Sequence, residues 1–215
     1  MHIKRSEMPK SWPVPRKGSA YIAAPSHAIK KGISVLFILR DILKIANTKK
    51  EVRFMALNGD IKVNNKIRKD ENFPVQVLDV LTLEKAKKSY RMQIVNKKFK
   101  LVEVKGDIDS KIVKISGKKI LTGKKVQMNL EDGQNILSKE SFSAGDSVIL
   151  NTKTGKIEKV LPLRENAKVE IVSGKHAGEK GVVKGIVKLV RGKEYLIKLD
   201  KKEVTLPGKT ILIIG

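Results

Sequence analysis

Hydrophobic positions change their spacing along this chain, and the changes divide it into segments. From Val35 to Ala46 they recur at three and four. Val35, Leu36, Ile38, Leu39, Ile42, Leu43, Ile45 and Ala46 share one broad face, with Phe37, Arg40, Asp41 and Lys44 opposite. That period is helical, and Ser34 can cap the start. Thr48-Lys49-Lys50-Glu51 reads as a capping box that opens a second helix, and Asn58-Gly59 ends it. At Ile61 the period becomes two. Ile61-Lys62-Val63 and Lys66-Ile67-Arg68 flank Asn64-Asn65, a hairpin turn, and Asp79 to Leu83 follows as a strand.

Beyond residue 96 the pattern predicts only strands. Phe99-Lys100-Leu101, Ile112 to Ile115, Val126 to Leu130, Ser147 to Leu150 and Lys156 to Leu161 alternate, with turns at Asp132-Gly133, Gly145-Asp146 and Thr154-Gly155. Asp107 and Asp109 read as one more polar turn. A last group runs from Ala167 to Val172, Gly181 to Leu189, Tyr195 to Leu199, Val204 to Leu206 and Thr210 to Ile214, five short strands that suit a small barrel. The start differs from all of this. Pro9, Pro13, Pro15 and Pro25 hold residues 1–33 away from helix, and Trp12 stands among cations. Such a strip has no core of its own, so it should be mobile in isolation and order against a partner. The expected architecture is α+β in several small modules: a basic extended N-terminal arm (1–33), a small helix-helix-hairpin domain (34–95), an all-β central domain (96–163) and a C-terminal small β-barrel (164–215).

Charge gives these modules a common task. The 215 residues carry 46 Lys and Arg against 22 Asp and Glu, a net +24. Each of the four segments carries a net +6, so no basic tail hangs on a neutral domain. A field of this size attracts polyanions, and binding them releases condensed counterions. Solubility alone is a poor explanation, because uncompensated charge repels itself in a compact chain. Only eight bases are Arg, at 5, 16, 40, 53, 68, 91, 164 and 191. Lys meets phosphate as a point charge, whereas Arg supplies bidentate reading of guanine. The balance favours backbone and shape recognition.

The same residues exclude other functions. There is no cysteine, hence no disulfide, zinc ribbon or thiol nucleophile. The longest apolar runs are five residues, such as Val35 to Leu39, far short of the ~18 a membrane helix needs. Met1-His2-Ile3-Lys4-Arg5 has no apolar core behind it, so a soluble, cytoplasmic protein is expected. Gly208-Lys209-Thr210 resembles the end of a phosphate-binding loop, yet Glu203 stands where its first glycine would fall. His2, His27 and His176 have no metal-ligand spacing. No nucleophile, base and orienting group cluster, so no enzyme activity, metal or cofactor is expected.

The candidate contacts are cationic. Arg40 and Lys44 on the first helix, Lys49, Lys50 and Arg53 at the start of the second, and Lys62, Lys66, Arg68 and Lys69 on the hairpin would converge on one face for phosphate. Asp41, Glu51 and Asp60 could pair some of them. Lys4, Arg5, Lys10, Trp12, Arg16 and Lys17 form the arm's set. Gly174-Lys175-His176-Ala177-Gly178-Glu179-Lys180-Gly181 would present Lys175, His176 and Lys180 from a tight loop. Lys111, Lys114 and Lys118 read as surface charges of lesser weight.

These residues resemble a known family. Lys10 to Gly18 looks like the N-terminal signature of the archaeal/eukaryotic-type small-subunit ribosomal protein family S4e. Val35 to Ala46 followed by Gly59 to Arg68 is similar to its S4-type RNA-binding domain. Gly133-Gln134-Asn135-Ile136 and Gly145-Asp146-Ser147-Val148 are similar to its central β domain, and Ala167 to Val183 resembles a KOW motif, whose Gly174–Gly181 loop would bind RNA. Asn65 stands at the hairpin turn where relatives commonly carry Gly. The resemblance covers the whole chain, its archaeal branch foremost. It implies a structural constituent of the small ribosomal subunit whose partners are ribosomal RNA and neighbouring ribosomal proteins, with no membrane, no small-molecule substrate and no homo-oligomer. Two rivals are open. One is a KOW-bearing transcription or translation factor that binds nucleic acid transiently. The other is an RNA-modification protein guided by an S4-type domain.

Overall fold

A computed structural model describes all residues except 105, 107, 139, 190, 191, 200 and 201, so Asp107 and Arg191 lie outside the described residues. The chain divides into two compact units, Met1–Asp109 and Ser110–Gly215. Strand dominates both, and the helical part is small.

In the first unit β1 (His2–Lys4) pairs antiparallel with β2 (Tyr21–Ala23). Then β3 (Gly32–Ser34) leads directly into α1 (Val35–Phe37). Ser34 caps it as expected, its Oγ accepting from the Phe37 N–H at 3.3 Å. The predicted helix to Ala46 is cut short. After Phe37 the chain winds wider, as a π-helix over Ile38–Ile42 in which the Leu43 N–H donates to the Ile38 carbonyl. Lys44 then turns left-handed, φ +53°, and the helix stops. Leu39 and Ala46 are both buried, but Ile45, expected on the same apolar face, is 43% exposed once the regular winding is lost. Phe37, expected on the polar face, is 6% exposed.

The second helix forms as the sequence predicts. α2 (Lys49–Leu57) is capped by Thr48, whose Oγ1 accepts from the Glu51 N–H, while the Glu51 carboxylate reaches back to the Asn47 N–H at 2.7 Å. Gly59, φ +80°, ends it. Then β4 (Ile61–Val63) and β5 (Lys66–Ile67) make the hairpin. Asn64 and Asn65 both hold positive φ there, and side-chain bonds compensate: Asn64 bonds Asp79 and the Val80 N–H, and Asn65 donates to Asp109 at 2.9 Å. β6 (Pro74–Gln76) pairs with β3. β7 (Val80–Leu83), β8 (Lys88–Val95) and β9 (Lys98–Glu103) complete a sheet ordered β5-β4-β7-β8-β9. The pattern missed β8. It also put the Phe99 strand at the head of the central segment, whereas β9 pairs with β8 across a tight Asn96-Lys97 turn with both φ positive.

The N-terminal strip does have a core. Trp12 is 1% exposed, its ring centroid 6.2 Å from that of Phe37, and Val14, Ile22 and Ala24 are buried beside other apolar groups. The Phe99 N–H donates to the Ser11 carbonyl at 2.8 Å. Proline kept this segment out of helix, but burial of one indole outweighs the absence of regular structure. Arg5 closes its loop, donating to the carbonyls of Ser19 and Pro15 and to Ser19 Oγ.

The second unit holds two five-stranded antiparallel sheets. The first contains β10 (Ser110–Ile120), β11 (Val126–Leu130), β12 (Asn135–Ser138), β13 (Ser147–Asn151) and β14 (Ile157–Leu161), ordered β12-β11-β10-β13-β14. The second contains β15 (Lys168–Ile171), β16 (Lys180–Leu189), β17 (Gly192–Leu199), β18 (Glu203–Pro207) and β19 (Ile211–Ile213), ordered β18-β17-β16-β15-β19. Alternation in the sequence located nine of these ten strands, β12 being the exception. Each sheet has its own apolar cluster, around Val113, Ile115, Met128 and Val148 in one and Val169, Ile171, Val183 and Ile197 in the other.

Polar side chains fasten these sheets together. Lys114 is 8% exposed, and its Nζ donates to the carbonyls of Gly208 and Ile211, the latter at 2.8 Å. Asp146 accepts from the Leu163 N–H, and Ser147 Oγ from the Ile213 N–H. Within the first sheet, Lys111 Nζ lies 3.0 Å from Asp132 Oδ2, with both side chains nearly covered. Lys111 and Lys114 are therefore structural lysines, not the surface charges their residue type suggested. Burial pushes the Lys114 ammonium below the ordinary lysine range, and Glu131 pulls it part of the way back.

Candidate nucleic-acid interface

The helices and hairpin of the first unit bring part of the expected constellation together. Residues 70–73 run against the start of α1, where the Val35 N–H donates to the Phe73 carbonyl and the Leu36 N–H to the Glu71 carbonyl. Lys49, at the start of α2, pairs with Glu71 at 3.6 Å. Arg68 lies over the Phe73 ring, 4.2 Å from its centroid. The beginning of α2 and the end of the hairpin therefore meet through this segment. Lys44, Lys50, Arg53, Lys66 and Lys69 are exposed, while Arg40, Lys62 and Arg68 are half-buried.

Several cations already have partners. Arg40 donates to Asp41, and Lys62 lies 2.5 Å from Glu84. Asp60 pairs with Lys85, and Glu51 serves its own helix cap. Asp41, Glu71 and Glu84 thus neutralise Arg40, Lys49 and Lys62 locally, which leaves Lys44, Lys50, Arg53, Lys66 and Lys69 as the outward set.

In the N-terminal segment Lys4, Lys10, Arg16 and Lys17 are exposed, as expected of contacts. Two residues are not placed as the sequence suggested. Trp12 is buried, so its ring offers no face to a base and instead pins the segment down. Arg5 is held by backbone carbonyls. Three exposed lysines of the β8–β9 hairpin, Lys97, Lys98 and Lys100, escaped the sequence reading. The Asn-Lys-Lys after a period-two run was the signal.

The glycine-rich loop has a built conformation. Gly174 and Gly178 hold positive φ, +98° and +90°, and the Gly178 N–H donates to the Ile171 carbonyl at 2.8 Å. Gly181 serves a different need, since a Cβ there would stand 2.6 Å from the Lys198 carbonyl oxygen across β17. Lys175 and Lys180 are exposed. His176 does not point outward as expected: its side chain is 12% exposed and Nδ1 lies 3.1 Å from the Glu179 carboxylate.

Behind Lys180 sits Glu170, its partner in the β15–β16 register and 9% exposed. Burial raises its carboxyl pKa, and Lys180 pulls it part of the way back. A raised folded value means that stability falls as pH rises from the ordinary 4.5 through the shifted value and stays lower above it. Glu170→Gln should therefore melt higher than the parent at neutral pH, and the two should converge in acid below the ordinary carboxylate value. Thermal melts across pH check this. A lower melting point for the variant at neutral pH would mean that attraction to Lys180 outweighs burial.

Among the described residues no group of three or more His, Asp or Glu could hold a metal ion, and no helix is long and apolar enough to cross a membrane. Fold and surface together define a class: a mostly antiparallel-β protein of two units whose outward charge is overwhelmingly cationic. Residues 86–157 match the ribosomal family S4e. The chain is 34% identical to the small ribosomal subunit protein eS4 of Archaeoglobus fulgidus over 220 aligned residues, spanning 100% of this chain and 93% of that one. It is 36% identical to eS4 of Methanocella arvoryzae, over 88% of this chain and 82% of that protein. Both relatives are archaeal. The crystal structure of the 30S ribosomal protein S4e from Thermoplasma acidophilum superposes with a TM-score of 0.73, at 23% identity, covering 86% of this chain and 95% of that one. The chain belongs to the ribosomal family S4e.

Proposed function

We propose that this protein is a non-catalytic structural constituent of the small ribosomal subunit, in the cytoplasm, that binds ribosomal RNA and neighbouring ribosomal proteins. One observation carries the reading: small-subunit proteins align along the full length of a chain whose exposed lysines and arginines are spread over both units. Within it, the chain from residue 34 to the end of the first unit, β9 included, acts as the S4-type RNA-binding domain, residues 110–163 as the central β domain and 164–215 as a KOW-type barrel. The 1–33 segment is a basic extension docked by Trp12. Exposed Lys and Arg neutralise phosphates, and the sheets fix where those charges stand.

Sucrose-gradient fractionation tests the assignment. A constituent stays one-to-one with the small subunit after a high-salt wash, whereas a transient factor washes off. Binding to small-subunit RNA should also weaken steeply with salt. The logarithm of affinity should fall against the logarithm of salt with a slope of about 0.7–0.9 per phosphate neutralised, several in total. A slope near zero in a filter-binding titration rules the mechanism out.

A further inference from the structure

The outward arc of α2 is neither polar nor covered. Lys50, Arg53, Phe54 and Leu57 stand at positions i, i+3, i+4 and i+7, so they share one side of the helix. Phe54 is 65% exposed and Leu57 56%, while Val52 and Ala56 on the other side are fully buried. Ile67, 53% exposed on β5, stands next to the end of the helix, where a methyl built on Gly59 would touch its Cγ2 at 3.7 Å. Glu51, the one acid of α2, is turned back onto its own cap. The arc thus presents two cations, an open aromatic face and aliphatic carbon, with no carboxylate from the helix among them.

The other aromatic rings have companions or cover. Trp12, Phe37, Phe99, Phe142 and Tyr195 are buried. Phe73 is met by Arg68 and His27, Tyr90 is half-buried, and Tyr21, 56% exposed, meets the ring of His2. Phe54 is the most exposed aromatic among the described residues.

We propose that this arc seats an unpaired nucleobase of the bound RNA, which stacks on Phe54 while Lys50 and Arg53 hold the phosphates that flank it. The proposal rests on the RNA-binding reading above and adds the form of RNA recognised. An aromatic face accepts any base, since every base has a π-face, and flanking cations match the backbone charge on both sides of it. An apolar protein surface laid over the same arc would take Lys50 and Arg53 out of water with no opposite charge on the helix to meet them. Charge complementarity selects the polyanion.

The test uses the full chain and two RNA probes with equal numbers of phosphates: a hairpin with an unpaired loop and a fully paired duplex. Phe54→Leu keeps apolar bulk and removes the ring. It should weaken hairpin binding roughly tenfold, the effect of losing one stacked base, leave duplex binding and the salt slope unchanged, and melt like the parent. Phe54→Tyr should bind the hairpin as the parent does. Parent-like hairpin binding by Phe54→Leu overturns the proposal and assigns the arc to an apolar protein partner. Equal losses on both probes also overturn it, since stacking on an unpaired base cannot act on a duplex. If the parent binds neither probe, the RNA-binding reading itself falls with it.

Discussion

Trp12→Ala will destabilise the first unit by about 3–5 kcal/mol, the range for emptying a buried large aromatic site, and will expose residues 1–24 to protease. Trp12 is the largest fully buried side chain in its segment, and its ring lies beside Phe37. Without the indole, Phe37 loses its neighbour and the segment loses its chief apolar anchor. Chemical denaturation gives the energy, and limited proteolysis of the free protein gives the location. A shift below about 1 kcal/mol with unchanged protease resistance would mean that the segment is held by something else, or not held at all before it meets a partner.

Reversing Lys50 and Arg53 to Glu will cost RNA affinity several kcal/mol, because each lost phosphate contact becomes a like-charge repulsion, and will reduce the salt slope by about two. The fold should survive, since both side chains are exposed and acidic residues near a helix start are tolerated well. Lys49 is left out because a Glu there would face Glu71, its present partner, and confuse binding with stability. The comparison is Lys118→Glu in the central sheet, an exposed position. Lys111 and Lys114 are unsuitable, since reversing a buried lysine leaves uncompensated charge in the interior and unfolds the unit. If Lys118→Glu lost as much affinity as the double variant, with both folded, the α2 face would not be the principal contact.

The sequence made some of this legible and concealed the rest for definite reasons. Period-two alternation needs no partner to be recognised, so nine of ten strands in the second unit could be read, with their turns marked by Asp-Gly, Gly-Asp and Thr-Gly. The Thr48 cap is a local bond and the Asn64-Asn65 turn a local reversal of the chain, and both were equally visible, although the side-chain bonds of the two asparagines reach residues 15 to 44 positions away. What failed depended on distant residues. Trp12 is buried because Phe37 and the backbone near Phe99 come to meet it. Phe37 looked outward on a regular helix, but its place in the core follows from the tertiary packing. Lys111 and Lys114 belong to the commonest surface residue type, and only acceptors 21 to 97 positions away make them interior. Among the candidate contacts, exposure could be guessed for most, and pairing could not: Arg5, Arg40, Lys62 and His176 all found partners inside the protein.

The bond from Lys114 to Ile211 also bears on the order in which the protein takes shape. A chain is made from its N-terminus, so β10 emerges with its lysine nearly a hundred residues before the two carbonyls that will accept from it. During that interval the ammonium has no interior partner and stays in water, and the sheet around it cannot close over it without stranding a charge. Closure of the second unit therefore waits for residues 208–213, and contacts of such long range fold slowly. A fragment released short of Gly208 would lack both carbonyls, and its first sheet would stay open at Lys114 with that charge still in water.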